Sequence, residues 1–125
     1  MIFHEDNEAR WLWQWASMQP IVKDSFFAIP NGGKRNKREA ARLRSMGVRP
    51  GVSDYFLSVP RGIYHGLYIE LKAMPPHHAT LTQLQRAWIV LQKTNGYHAA
   101  ECRGWNIAAE LITAYMGLEE GEGFD

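Results

Sequence analysis

Three charged side chains, Asp54, Glu70 and Lys72, stand in two short apolar segments and are the residues of this chain best suited to chemistry. The segments, residues 52–59 and 63–72, have the composition of β-strands. Because side chains alternate between the two faces of a strand, Glu70 and Lys72 are expected to share one face. Charges at the edge of an apolar sheet are costly to desolvate unless a counter-ion or a metal compensates them. The pattern predicts a hydrolytic metal site, and a nucleic-acid phosphodiester is the substrate that best fits the rest of the chain.

The main alternative is an ordinary exposed strand, whose wet face often carries glutamate and lysine. Three observations favour the metal site. Both segments are strongly apolar, which indicates buried strands, and a basic segment directly precedes Asp54. Four glycines also stand near these strands, where a backbone could approach a ligand closely: Gly32, Gly33, Gly47 and Gly51.

The size and composition of the chain indicate one compact domain. Its 125 residues are 46% hydrophobic, which is enough to bury a real core. We expect a single domain over residues 1–117, followed by an acidic, flexible tail over residues 118–125. The single cysteine, Cys102, cannot form an internal disulfide, which favours a buried thiol and a cytoplasmic location. No apolar run approaches the roughly 20 residues of a membrane-spanning helix, so we expect no membrane partner.

Positive charge is concentrated in one segment, although the formal net charge is only +1. Residues 34–49 contain seven cations and one anion, whereas the acidic tail contains no cation. A run of charge is usually a solvated helix face. Next to a hydrolytic site we instead expect it to contact backbone phosphates. The residues predicted to contact DNA are Asn31, Lys34, Arg35, Lys37, Arg38, Arg42 and Arg44.

The elements that must position these residues are predicted from hydrophobic spacing and turn signals. Strands 52–59 and 63–72 are joined by Pro60-Arg61-Gly62 and are expected to form an antiparallel hairpin. The complete order, α-β-α-β-β-α-β-α, predicts an α/β fold with a mixed sheet and helices packed against it. The other elements are helices at 5–18, 36–46, 82–94 and 105–116 and strands at 24–29 and 97–102.

Helical spacing also predicts which side chains face the core. Trp13 lies off the apolar stripe of its helix and is expected to be exposed, at a subunit contact. The pair His77 and His78 could bind a metal, but a solvent loop without a third ligand is the favoured interpretation. The side chains expected to face inward include Trp11, Trp15, Met46, Leu84, Trp88, Leu91, Trp105 and Ile107.

Several motifs, taken in order, resemble the VRR-NUC domain of the PD-(D/E)xK nuclease superfamily. The resemblance extends from Glu8 to about Tyr115 and, at this length, is to the stand-alone proteins of phages and prophages. The chain departs from it at Ser53, where the family usually has proline, but serine is compatible with a strand. The motifs are Pro30-Asn31-Gly32-Gly33, Gly47-Val48-Arg49-Pro50-Gly51-Val52-Ser53-Asp54, Ile69-Glu70-Leu71-Lys72, Leu81-Thr82-Gln83-Leu84-Gln85 and Gly96-Tyr97.

The resemblance implies a set of metal ligands. Asp54 and Glu70 would bind a divalent cation together with the backbone carbonyl of Leu71. Glu8 would complete the metal shell, although it could instead be a simple helix N-terminal charge. Ligation by oxygen alone suits Mg²⁺, with Mn²⁺ as a substitute, and does not suit Zn²⁺.

The resemblance also implies catalytic roles and a function. Lys72 would orient or help deprotonate the attacking water and stabilise charge on the phosphate. Gln85 would hydrogen-bond near the scissile phosphate or the water, unless it is one of the surface glutamines that helices commonly carry. The expected protein is a Mg²⁺-dependent, structure-selective DNA endonuclease similar to Holliday-junction resolvases, acting in the host cytoplasm.

A four-way junction needs two symmetric cuts, which a twofold dimer supplies. We therefore expect a homodimer. One alternative is a flap or nicking nuclease with a different preference for DNA structure. Another is a DNA-binding module without catalysis, and the intact set of Asp54, Glu70 and Lys72 argues against it.

Overall fold

The computed structural model describes residues 4–30, 36–74 and 80–125, and it describes side chains from residue 6 onward. Two of the four glycines expected near the site, Gly32 and Gly33, lie outside these ranges. So do three of the predicted DNA-binding residues and the paired histidines, which are Asn31, Lys34, Arg35, His77 and His78.

Five helices and four strands occur in the described residues. The predicted order is confirmed, with one addition, a single helical turn (α2) that directly precedes the first strand. The strand around Phe56 is much shorter than predicted, because only three of its residues pair with neighbours. The helices are α1 (His4–Ala16), α2 (Val22–Ser25), α3 (Lys37–Ser45), α4 (Gln83–Thr94) and α5 (Trp105–Met116); the strands are β1 (Phe26–Ala28), β2 (Tyr55–Leu57), β3 (Leu67–Lys72) and β4 (His98–Arg103).

The four strands form one mixed sheet in the order β1-β2-β3-β4. The pairs β1–β2 and β2–β3 are antiparallel, which confirms the predicted hairpin. The pair β3–β4 is parallel, and α4 forms the crossover between these two strands. The fold is therefore α/β with a mixed sheet, as predicted.

The two faces of the sheet bury different side chains. Leu67, Ile69 and Leu71 belong to the main core, which also contains Leu12 of α1 and Ile112 of α5. Strict alternation along β3 sends the intervening side chains to the opposite face. That second face carries an aromatic layer near its middle and charged residues near the end of β3.

The aromatic layer lies under α4. The ring of Tyr68 lies 4.5 Å from the ring of Phe56 and 5.5 Å from that of Trp88, which meets it edge-on. Through Trp88 and the buried Gln92, α4 rests on the sheet. Since these contacts hold α4 beside β3, the start of the helix lies near the charged residues.

Several of the predictions of inward-facing side chains are wrong. On α4, Leu84 and Leu91 are about half exposed, because the helix meets the sheet through Trp88 and Gln92. The four-stranded sheet is too small to cover the whole apolar stripe of each helix. The other exposed side chains that were expected to face inward are Trp11, Met46 and Ile107, whereas the predicted exposure of Trp13 is confirmed.

The C-terminal segment packs against the core and so differs from the flexible tail that its composition predicts. The Phe124 ring lies 4.6 Å from the His98 ring and 5.9 Å from the Tyr64 ring. The Phe124 N–H donates a 2.8 Å hydrogen bond to the Tyr64 hydroxyl, and the Ile63 N–H donates to the Glu122 carbonyl. The Phe124 ring and these two hydrogen bonds therefore hold an otherwise acidic segment against the core.

We expect the protein to lose stability between pH 6.5 and pH 4 through His98. Burial, and to a smaller extent the positive charge of the nearby Lys93, lowers the pKa of His98 to about 4. The folded pKa lies below the usual value of 6.5, so this contribution is complete above pH 6.5 and is lost as pH falls through 4. The ring is only partly buried, and after allowance for solvent screening we expect a loss of about 1–2 kcal/mol.

Urea unfolding at pH 7 and at pH 4 measures this loss. The variant His98→Phe keeps an aromatic ring against Tyr64 and Phe124 but cannot be protonated. It should therefore lose less stability than the wild type over the same pH interval. Equal losses in the two proteins would show that other groups control the acid response.

Candidate active site

Asp54 lies immediately before β2 and is held by two hydrogen bonds. Its backbone carbonyl accepts from the Ile29 N–H at 2.7 Å, which extends the pairing of β1 with β2 by one residue. Its Oδ2 accepts from the Leu71 N–H, also at 2.7 Å. The Asp54 carboxylate is therefore fixed beside the end of the central strand.

Glu70 and Lys72 share one face of β3, as predicted. Both side chains are almost fully buried, at 3% and 7% exposure. Lys72 Nζ lies 3.9 Å from Glu70 Oε2, so the two buried charges compensate each other. Burial of both charges excludes the alternative of an ordinary wet strand face.

Gln85 connects the start of α4 to this pair of charges. It belongs to a capping box, in which Thr82 Oγ1 accepts from the Gln85 N–H and Gln85 Oε1 accepts from the Thr82 N–H. The remaining end of the amide, Nε2, donates to Glu70 Oε2 at 3.4 Å. The same side chain that caps the helix thus also orients the Glu70 carboxylate.

These residues line one cavity of about 540 Å³. Gly51 forms part of its wall with φ +89°, and a Cβ there would lie 2.8 Å from the Cβ of Leu84. Only glycine therefore lets the loop before β2 pass this close to α4. The predicted site residues that the cavity brings together are Asp54, Glu70, Leu71, Lys72 and Gln85.

The backbone carbonyl of Leu71 points toward the Asp54 side of β3. Along a strand, the N–H and C=O of one residue point to the same side, and the Leu71 N–H donates to Asp54. The carbonyl of the next residue, Lys72, points the other way and accepts from the Gly104 N–H at 2.8 Å. Two carboxylates and one carbonyl oxygen therefore converge at the end of β3.

Glu8 is not among the residues that line this cavity. It is almost fully buried, and its Oε1 accepts a 2.7 Å hydrogen bond from the Trp105 N–H, at the start of α5. The N-cap position of that helix is Gly104, which has no side chain to satisfy the free N–H groups. The Glu8 carboxylate takes over this capping role from a distant helix.

Asp6 of the same helix lines this cavity, although it is not among the predicted site residues. Two residues apart on a helix, Asp6 and Glu8 point in nearly opposite directions, so only one of them can face the cavity. Which acid does so depends on how α1 is rotated against the sheet. The sequence offers one indication that Asp6 could take this place, because α1 carries acids on two opposite sides.

We expect Glu8→Gln to fold with a free energy of unfolding within about 1 kcal/mol of the wild type, because an amide oxygen can also accept from Trp105. Glu8→Ala leaves that N–H without its acceptor and should cost about 1–3 kcal/mol. Urea unfolding measures both values. If Glu8 instead bound a metal ion, calorimetry would show weaker Mg²⁺ binding by Glu8→Gln. The free energies of unfolding of Glu8→Gln and Glu8→Ala would then be the same.

The donor set fits a hard divalent cation. Within the described ranges, no three His, Cys, Asp or Glu side chains cluster as a closed metal cage. Two carboxylates, Asp54 and Glu70, with the carbonyl of Leu71 form an open, all-oxygen set. Mg²⁺ characteristically uses one or two carboxylates and keeps several waters, so the residues present suit it.

The part of the basic segment that is described lies on a solvated helix. Asn36 caps α3 by accepting from the Glu39 N–H at 2.7 Å, and no residue of this helix is buried. Arg42 makes a 2.9 Å ion pair with Glu39. Three further cations of α3 are exposed, namely Lys37, Arg38 and Arg44.

The single cysteine is confirmed as a core thiol. Cys102 is buried on β4, and burial raises the pKa of its thiol to about 12. A thiol of this kind is not ionised near neutral pH and is not a nucleophile.

The fold and site together define a nuclease-type domain of the PD-(D/E)xK pattern, in which an aspartate next to one strand meets Glu-x-Lys on the neighbouring strand. A solved structure described as a "VRR_NUC domain protein" matches this chain with a TM-score of 0.83 and 26% sequence identity. The match covers 100% of this chain and 99% of that one. This match supports the resemblance to the VRR-NUC domain that the sequence motifs indicate, and it confirms the predicted fold.

Two other comparisons gave no match: no family model and no curated protein matches the sequence. The described helices also include none that is long and apolar enough to cross a membrane. At the position where the family pattern has proline, the Ser53 side chain is fully buried, and its hydroxyl has no hydrogen-bond partner within the described residues.

Proposed function

We propose that this VRR-NUC domain is a Mg²⁺-dependent, structure-selective DNA endonuclease that acts on branched DNA in the manner of a Holliday-junction resolvase. The observation that supports it most is the convergence of Asp54, Glu70, Lys72 and Gln85 on one cavity. Two acids that can hold a divalent cation, one ammonium group and one amide can together support hydrolysis of a phosphodiester.

Asp54, Glu70 and the Leu71 carbonyl would hold the metal ion. When bound, the ion screens the phosphate charge and lowers the pKa of a water molecule. Mn²⁺ should substitute, because it accepts the same oxygen ligands. The hydrogen bond from Leu71 to Asp54 and that from Gln85 to Glu70 orient both carboxylates before any ligand arrives.

Lys72 supplies the fixed positive charge of the site. Its ammonium group is held within 3.9 Å of Glu70 in a buried position, where water screens its field only weakly. At this position it stabilises negative charge that develops on the phosphate and orients the attacking water. Gln85, which lines the same cavity, can donate to the phosphate or to the water.

Exposed cations of α3 would bind the DNA backbone on the approach to this cavity. The triple variant Lys37→Ala, Arg38→Ala, Arg44→Ala should reduce the slope of log affinity against log salt by about 2.7, since each phosphate contact contributes about 0.9. Fluorescence anisotropy at several salt concentrations measures the slope.

A matched control removes exposed cations from other helices. The double variant Lys23→Ala, Lys93→Ala removes one exposed cation from α2 and one from α4, neither of which is predicted to contact DNA. Its slope should stay close to that of the wild type. A triple variant with an unchanged slope would remove α3 from the DNA-binding surface.

The exposed apolar stripe of α4 supports a homodimer. Leu84 and Leu91 border a cavity of about 510 Å³ together with Pro50, Ala87 and Trp88. A second copy related by a twofold axis would cover this stripe and place two active sites in one particle. Such a particle could cut two strands of a four-way junction symmetrically.

Incubation with a synthetic four-way junction, a flap and a plain duplex, each with Mg²⁺ or with EDTA, tests the proposed function. Symmetric nicks across the junction, seen only with Mg²⁺, are the expected result. Cleavage confined to the flap would replace the junction preference with a flap or nicking activity. Binding without any metal-dependent product would indicate a DNA-binding module instead.

A further inference from the structure

A stack of three aromatic rings lies beside the catalytic cavity and reaches the surface. Phe26 stands between Tyr55, whose ring is parallel to it at 4.9 Å, and Trp13, whose ring centre is 6.2 Å away and tilted by 21°. Phe26 and Tyr55 are buried, whereas Trp13 is 47% exposed. The buried rings therefore hold the indole from one side and leave its other side open to solvent.

The open indole forms one wall of a second cleft, of about 350 Å³. Arg10 and Gln14, one turn apart on α1 and on the same side as Trp13, contribute a cation and an amide to it. Both side chains are exposed. The cleft thus combines a flat aromatic surface, a positive charge and a group that can both donate and accept hydrogen bonds.

This cleft continues into the catalytic cavity. Ala9 and Tyr55 line both of them, and the Tyr55 hydroxyl donates a long, 3.5 Å hydrogen bond to the Ala9 carbonyl at the boundary. Tyr55 directly follows Asp54 in the chain. A DNA strand that has its phosphate at Asp54 and leaves the cavity past Ala9 and Tyr55 would bring a neighbouring nucleotide to the cleft of Trp13.

We propose that Trp13, Arg10 and Gln14 form a binding site for one unpaired nucleobase next to the scissile phosphate. This inference rests on the proposed action on DNA. It names the residues by which the protein would distinguish branched DNA from a plain duplex. The base stacks on the indole, the Arg10 guanidinium contacts a phosphate of the same strand, and Gln14 contacts the edge of the base. A fully paired duplex cannot fill this site without losing a base pair, whereas a nucleotide at a branch point can.

Binding of branched DNA in EDTA, without catalysis, tests the proposal. The probe is a flap or junction with 2-aminopurine at the unpaired position nearest the branch, and a matched probe has an abasic site there. Stacking on the indole should change the fluorescence of 2-aminopurine in the wild-type complex. We expect Trp13→Leu to abolish that change and to weaken binding of the base-containing probe about 5- to 100-fold.

Two features of the design separate base stacking from damage to the fold. Trp13→Leu keeps apolar bulk against Phe26, and Trp13→Phe keeps an aromatic ring and should retain most of the affinity. Trp11 on the same helix is equally exposed but does not line the cleft, so Trp11→Leu is the matched control and should bind normally. Trp13→Leu and the wild type should bind the abasic probe with the same affinity.

An equal loss of affinity on the abasic and the base-containing probes would overturn the proposal, as would an unchanged fluorescence signal in Trp13→Leu. A change from dimer to monomer in Trp13→Leu by sedimentation would also overturn it, because the indole would then be a subunit contact. Cleavage is measured separately in Mg²⁺. Base-dependent binding without cleavage of any DNA would contradict the proposed function while leaving this binding site in place.

Discussion

Asp54→Asn is expected to lower the rate of DNA cleavage by about 10³-fold or more while leaving the fold intact. The change removes one of two carboxylates at the end of β3 and so the main reason for a divalent cation to bind there. Loss of one well-placed stabilising group already costs about 10²–10³-fold in enzymes of several kinds. The amide oxygen of asparagine can still accept from the Leu71 N–H, so the local backbone is preserved.

Single-turnover cleavage at saturating Mg²⁺ measures the rate, and urea unfolding confirms that the variant is folded, with a free energy within about 1 kcal/mol of the wild type. Asp24→Asn, which changes an exposed acid on α2, is the matched control and should cleave normally. Cleavage at the wild-type rate by folded Asp54→Asn protein would end the assignment of this cavity as the active site.

Lys72→Met should lose both activity and stability. The variant keeps the apolar length of the side chain but removes the ammonium group that lies 3.9 Å from Glu70. Breaking one partner of a buried ion pair costs roughly 3 kcal/mol, because the remaining carboxylate keeps its desolvation penalty without its cation. Cleavage should fall by about 10²-fold or more, since the fixed positive charge near the phosphate is lost.

The double variant Glu70→Gln, Lys72→Met separates these two effects. Removing both charges together should restore much of the stability that Lys72→Met loses, because no unpaired carboxylate stays buried. It should not restore cleavage, since one metal ligand and the cation are both absent. Losses of stability that simply add in the double variant would show that Glu70 and Lys72 are not coupled.

The central part of the site could be predicted from sequence because it depends on strand geometry. Alternation along a strand is strict, so the pattern at Glu70 and Lys72 determined that both face the same way. The hairpin turn brought the strand that follows Asp54 next to them, and the structure confirms this antiparallel pairing. The helix predicted at 82–94 likewise corresponds to α4, for which Thr82 is the N-cap.

The other features of the site and fold depend on how the elements pack together, which the sequence pattern does not determine. The choice between Asp6 and Glu8 at the cavity is set by the rotation of α1, which several acids near its start leave undetermined. The exposure of Leu84 reflects how much of α4 a four-stranded sheet can cover. The position of the last residues depends on one ring, Phe124, finding Tyr64 and His98, which are distant in sequence.

Cleavage of a labelled four-way junction by the wild-type protein, with Mg²⁺ and with EDTA, tests the central claim most directly. If the cavity around Asp54 and Glu70 hydrolyses phosphodiesters with a divalent cation, Mg²⁺ will give symmetric nicks in the junction. EDTA will give none. Equal cleavage in EDTA, or no cleavage of any branched DNA with Mg²⁺ or Mn²⁺, would contradict the claim.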